Sequence, residues 1–426
     1  MTRWRPTAAL VRAVLTAVGG ALVAVLLGRP DLLVLVAPFG VAAALALAHA
    51  PTTPVTARTT VDDRWLPEGQ STTLRVAAEG AALDQATVTL TPPAHVLTRP
   101  ASGQVSATAG PHEQVELPLV VSPRRWGTRP VGTVLMAATS PWGGYRWGPT
   151  PVPVRTLVVL PAATAFTSTE APHPLGLLGR NRSRRPGHGS EFRGIRPFQP
   201  GDRLRRVNWR TTLRTGVLHA VGTNAEEDSS ILLLLDAVTD VGASGGVDGP
   251  ASSLDVGVRA AGALAAHHLL VGDRVALRVL GPGNLVLAPG AGPQHHRRLQ
   301  EMLALVRHGW PELLTSRRLR LPAGAGTLVV ALSPLLTPEV TTALVGLARR
   351  GLTVVVVDTL VPGIAPTSAQ PGTTAGLAWR MRMLERNVQQ TDLTRRGIPV
   401  VVWRGPGTLD QLLSRMRSQP IRTVRR

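Results

Sequence analysis

Two apolar stretches near the N-terminus, four residues apart, constrain this chain more than any other feature of its sequence. Residues 7–27 are interrupted only by Arg12, near the start, and residues 32–48 carry no charge at all. Between them, Gly28-Arg29-Pro30-Asp31 reads as a tight break. A helix crossing a bilayer needs about 20 apolar residues, so each run is long enough or nearly so. A cleaved signal peptide is the competing reading, because basic residues precede the first run. Against it, no small-residue cleavage pattern leads into a mature domain, and a second apolar run comes at once. A four-residue turn makes the pair an antiparallel hairpin with both outer ends on one side. Arg3, Arg5 and Arg12 flank one end, and Arg58 and Arg64 lie beyond the other. By the positive-inside bias that side is the cytoplasm. Residues 1–50 are therefore expected to anchor the chain in the cell membrane through two helices, with the soluble domains in the cytoplasm.

Beyond the hairpin, residues 51–160 carry short alternating segments at 71–76, 86–90, 115–121 and 131–136, separated by Gly, Pro and Ser clusters. Period-two runs with turn punctuation predict a small β-sandwich. Residues 161–228 begin Pro-, Gly- and Arg-rich and read as a basic linker. From residue 229 onward the pattern changes. Residues 231–235 form a continuous apolar run, which marks a strand buried on both faces. Helical periodicity comes next at 254–270. Strands are then predicted at 274–280, 327–332, 352–357 and 399–403, and helices at 295–306, 338–350, 379–391 and 409–417. Alternating strands and helices imply βαβ units and a mostly parallel, doubly wound α/β sheet over residues 229–426.

Composition narrows the chemistry. The absence of cysteine excludes disulfides, thiolate metal sites and cysteine nucleophiles. No lysine occurs, so the net charge of +20 rests on arginine. Such a charge suits nucleic acid or an anionic membrane surface, and for an anchored protein the second needs no further assumption. Aromatic residues make up 3% of the chain, too few for base-stacking platforms. Catalytic signals are weak. Gly281-Pro282-Gly283 and Gly290-Ala291-Gly292 complete no dinucleotide fingerprint, and residues 322–327 lack a phosphate-binding lysine. The adjacent pairs His267-His268 and His295-His296 diverge by about 100° on a helix, a poor start for a metal site. Ser190 beside His188 and Glu191 lacks a nucleophile elbow.

One string is more specific. It runs from Gly189, Glu191 and Phe192 through Arg196, Pro200, Gly201 and Asp202 to Arg206, Trp209, Arg214 and Gly216. Pro200-Gly201-Asp202 reads as a turn, and Asp202 can cap the segment after it or pair with a guanidinium. A solvated basic loop is the plain alternative. The string resembles the signature of the bacterial family named domain of unknown function 58, with Phe198, Val207 and Leu213 as apolar departures. The resemblance extends over the hairpin, the β-domain and the α/β domain.

That resemblance implies a von Willebrand factor type A-like α/β domain. It also implies a cytoplasmic partner, an AAA+ ATPase of the MoxR type, and a non-catalytic adaptor or scaffold role in assembly or maturation of other proteins. A nucleic-acid binder using arginines 180–214 and an uncharacterised hydrolase are the alternatives. The implied fold often holds a divalent ion through Asp-x-Ser-x-Ser on its first strand. Here the string is Asp236-Ala237-Val238-Thr239-Asp240, and Ser333-Pro334 stands where an aspartate is common. The site is degenerate, with Asp236 and Asp240 its only remnants, and no cofactor is expected. Within the signature, Trp209 is expected to fill a core position, Asp202 to tie the turn to Arg206 or Arg210, and Arg196, Arg206 and Arg214 to face a partner.

Overall fold

The computed structural model describes residues 3–80, 83–109, 114–162, 182–199, 204, 207–226, 230–311 and 327–404. The chain divides into two compact units, residues 1–162 with 245–250, and residues 163–244 with 251–426.

In the first unit the apolar runs form helices Ala8–Leu26 and Asp31–Ala48, both long and apolar enough to cross a membrane. Most of their Leu and Val side chains point outward, an arrangement that water would penalise and lipid would not. Gly28 takes φ +66° at the break, a conformation that costs glycine little. Small residues let the helices approach: a side chain at Gly20 would collide with Val36, and Gly40 lies against Ala17. Thr7 caps the first helix by accepting from the Leu10 amide, and its hydroxyl donates to the Gly143 carbonyl. Just before it, Arg5–Pro6 pairs with Arg146 and Tyr145 at the edge of a five-stranded antiparallel sheet. A second, four-stranded antiparallel sheet is ordered Thr56–Val61, Thr72–Glu79, Val115–Pro123, Val96–Arg99. Alternation explains its inner face: Leu74, Val76 and Ala78 are buried while Arg75 points out to Asp62. Both sheets contribute to one apolar cluster that includes Val88, Leu90, Leu117, Leu119 and Met136.

The second unit holds a six-stranded sheet. Its elements are β1 (Ser230–Asp236), α1 (Ser253–Val271), β2 (Arg274–Leu280), β3 (Val286–Gly290), α2 (Pro293–Ala304), β4 (Leu328–Ser333), α3 (Pro338–Arg349), β5 (Thr353–Asp358), α4 (Thr374–Arg395) and β6 (Val400–Val402). The spatial order is β3-β2-β1-β4-β5-β6, parallel throughout except for β3. Helices cover both faces. Leu232 and Leu234 share a cluster with Val340, Leu344 and Leu347 of α3 and Leu393 of α4. Leu235 points the opposite way, and its Cδ1 would stand 3.0 Å from a Cβ placed on Gly257 of α1.

Three expectations are revised by the fold. The edge strand β3 was not anticipated, because its Val-Leu-Ala-Pro-Gly is too short and too interrupted to signal a strand. Residues 182–197 and 219–226 pair as an antiparallel hairpin, so part of the expected linker is strand. Helix α4 extends well beyond 379–391 at both ends, from a Thr373 cap that accepts from the Gly376 amide. The helix expected at 409–417 lies outside the described residues.

Candidate functional site

The signature string closes the hairpin of residues 182–197 and 219–226. The Phe198 amide donates to the Leu218 carbonyl, and the Asn208 amide donates to the His219 carbonyl. Between them, Val207 bridges Ala220 and both are buried. A seven-residue helix, Trp209–Thr215, projects from this base. Its start is set by Asn208, whose side chain accepts from the Thr211 amide at 3.0 Å. Its end is set by Gly216, which takes φ +71° and donates its amide to the Thr212 carbonyl. Thr212 faces inward, accepting the His219 amide on its hydroxyl.

So short a helix buries little, and the residues on its outer side are large. Trp209 is 63% exposed and Leu213 is 83% exposed, one turn apart, with Leu204 and Val217 also open to solvent. Arg210 and Arg214 are exposed on the same helix. The expectation that Trp209 fills a core position is thereby corrected: Val207, not the tryptophan, carries the burial at this base. Leu213 is the most exposed large hydrophobic residue of the helix. Asn208 drew no attention in the sequence, although an Asn directly before a short helix is a recognisable N-cap signal. Arg196 lies beside the ridge, its Nη1 donating to the Pro197 carbonyl. Pro200, Gly201, Asp202 and Arg206 lie outside the described residues, as do the side chains of Glu191 and Phe192.

A second group of polar residues gathers at the carboxyl edge of the sheet, where strand order reverses between β1 and β4. In open α/β sheets this is where ligands bind. Asp236, at the end of β1, accepts from the Val238 amide at 3.0 Å and from the Ser333 hydroxyl at 2.6 Å. Ser333, at the end of β4, accepts in turn from the Leu335 amide. Burial pushes the Asp236 carboxyl up to about 6, against the pull of those two donors. Asp240 accepts from the Leu254 amide at 3.1 Å, at the start of α1. At the end of β5, Asp358 accepts from the Leu360 amide and from Gln390, and pairs with the buried Arg386 of α4. The Arg386 Nε donates to the Pro334 carbonyl at 2.7 Å.

This donor set does not fit a divalent cation. A hard cation takes six or more oxygens, several of them anionic. Both Asp236 oxygens already accept bonds from neutral donors, Val238 offers no hydroxyl, and Asp240 is committed to the start of α1. No group of three His, Cys, Asp or Glu side chains suited to a metal occurs among the described residues. One histidine of each pair serves the fold. His268 bonds Asp273 at 2.8 Å across the end of α1, and His295 reaches the Val275 carbonyl of β2 at 2.7 Å.

Residues 194–373 match the family described as Protein of unknown function DUF58, which takes in the later part of the signature and most of the α/β unit. The match is narrower than the resemblance read from the residues, since it includes neither the hairpin nor the β-sheets of the first unit. Three uncharacterized proteins, one from Mycobacterium bovis and two from strains of Mycobacterium tuberculosis, are each 29% identical over 181 residues, or 42% of this chain. The chain spans about half the length of these relatives, 49% of each.

Proposed function

We propose that this chain is a membrane-anchored, non-catalytic adaptor that binds a cytoplasmic protein partner through the ridge formed by Leu204 and residues 207–217. The observation that carries this reading is the outward display of Trp209, Leu213, Arg210 and Arg214 on a helix capped at both ends. Tryptophan and arginine are the residue types most enriched where binding energy concentrates. A capped scaffold also lowers the entropy lost when such side chains are immobilised. The resemblance to the family named domain of unknown function 58 suggests a MoxR-type AAA+ ATPase as that partner, acting in assembly or maturation of other proteins. The sheet order, with an antiparallel edge strand beside five parallel ones, supports a von Willebrand factor type A-like reading of the α/β unit. The donor set around Asp236 supports partner binding without a divalent ion.

Purification of the intact protein from native membranes tests the ridge. Trp209→Ala and Leu213→Ala should change stability by no more than about 0.5 kcal/mol, as exposed positions do. They should weaken capture of the ATPase by about tenfold or more. Folded variants that retain the partner fully would overturn the assignment. Retention of nucleic acid instead, falling steeply with salt, would favour the arginine-rich alternative.

Topology has its own test. The absence of native cysteine allows a single Ser71→Cys to be probed in whole cells. It should resist an impermeant thiol reagent until the cells are lysed; labelling before lysis would place the soluble units outside.

A further inference from the structure

Helix α4 has two apolar faces, and among the described residues only one of them is used by its own fold. Trp379, Met383, Arg386 and Leu393 point inward, the first two onto a cluster with Val241, Leu336 and Leu360. On the opposite side Leu377, Met381, Leu384 and Val388 are 51%, 57%, 66% and 69% exposed. Their spacing of four, three and four residues is that of alternating d and a positions in a heptad. The inward residues Trp379, Arg386 and Leu393 fall at f, directly behind this seam. A helix that lies on a domain with one polar outer face has no need of such a stripe.

The flanks of the seam say what it fits. In this register Arg380 occupies a g position and Glu385 the next e position, and both are exposed. Two parallel copies would bring each Arg380 to the Glu385 of the other, since g pairs with the e position five residues on. One heptad later the same g and e positions hold a neutral Asn387 and Asp392, whose carboxylate Arg396 of its own helix holds at 2.7 Å. Glu385 also pairs with Arg382 of its own helix, at 2.7 Å. The pattern is therefore self-complementary in charge, as a two-fold interface requires.

We infer that α4 pairs with α4 of a second copy of this chain, in parallel, through the Leu377–Met381–Leu384–Val388 seam. Confinement of two anchored chains to one membrane would raise their effective concentration and favour so short a seam.

Cysteine crosslinking of the full-length protein in its membrane tests this. Leu384→Cys and Met381→Cys, each alone, should give a disulfide-linked dimer under mild oxidation, because like positions meet in a parallel pair. Arg297→Cys, exposed on α2, should not. Leu384→Glu should lower the dimer fraction by about tenfold or more, since like charges would then face each other. Arg380→Glu should weaken the dimer, and adding Glu385→Arg should restore it, a rescue that loss of folding would not show. A chain that stays monomeric in every variant overturns the inference, whether residues 405–426 or another protein then cover the stripe. Crosslinks that form only between Met381→Cys and Leu384→Cys chains would overturn the parallel arrangement.

Discussion

Replacing Asp236 with Asn is expected to stabilise the α/β unit above pH 6 and to remove the fall in stability that its carboxyl causes between about pH 4 and 6. The folded carboxyl sits at about 6, raised from 3.8 by burial. Between those values the native state holds a proton that the unfolded chain has released. Stability therefore falls as pH rises through this window, and the full cost is present above pH 6. At 1.36 kcal/mol per pKa unit, that cost is about 3 kcal/mol. Asparagine avoids the charge but leaves one hydrogen bond of the Val238–Asp236–Ser333 group imperfect, at about 1 kcal/mol. The net gain at pH 8 should be about 2 kcal/mol, read from hydrogen exchange of the β1 and β4 amides. Equal destabilisation at pH 5 and pH 8 would contradict the assignment. Protection of the wild type by millimolar magnesium at pH 8, absent in the variant, would show that Asp236 holds a cation after all.

The second large effect is expected at the buried pair of Asp358 and Arg386. Arg386→Met should destabilise the α/β unit by about 3–5 kcal/mol, because it leaves the Asp358 carboxylate buried without its cation. Loss of the bond from Arg386 to the Pro334 carbonyl adds to this and loosens the link between α4 and the end of β4. Asp358→Asn combined with Arg386→Met should recover much of the loss, since a neutral amide can still accept from Leu360 and bond Gln390. A double-mutant cycle by urea denaturation measures this coupling. Strictly additive losses would mean that the two groups do not act as a pair. The seam on the outer side of α4 depends on this anchor, because Arg386 at f fixes which face of the helix turns outward.

The signature ridge shows how far spacing carries an argument. The string around Pro200-Gly201-Asp202 is recognisable as a unit, and Gly216 as a place where a chain turns. Whether Trp209 points in or out is not legible, because a tryptophan next to arginines reads the same as a core anchor or as a contact residue. Hairpin register supplies the answer. Val207 bridges Ala220 and takes the buried position, which leaves Trp209, two residues on, at the outer start of a helix. Likewise, the exposed stripe of α4 is invisible when the helix is taken as residues 379–391, since those bounds omit Leu377 and place Trp379 at the end of the helix.

Features that a continuous stretch encodes were open to the sequence alone. Two uncharged or nearly uncharged runs must be helices if they are to cross a membrane, since no other element satisfies its own backbone there. An apolar run such as Ile231 to Leu235 belongs to a strand buried on both faces, and alternation with helical periods implies parallel neighbours. Features that depend on which strands lie side by side were decided by the tertiary structure. Asp236 and Ser333 meet only because β4 pairs with β1, and Asp358 meets Arg386 only because α4 crosses back beside β5. A carboxylate's charge state, and hence its role, depends on how much water and which donors surround it. For Asp236 those surroundings join residues 97 positions apart, where no local pattern reaches.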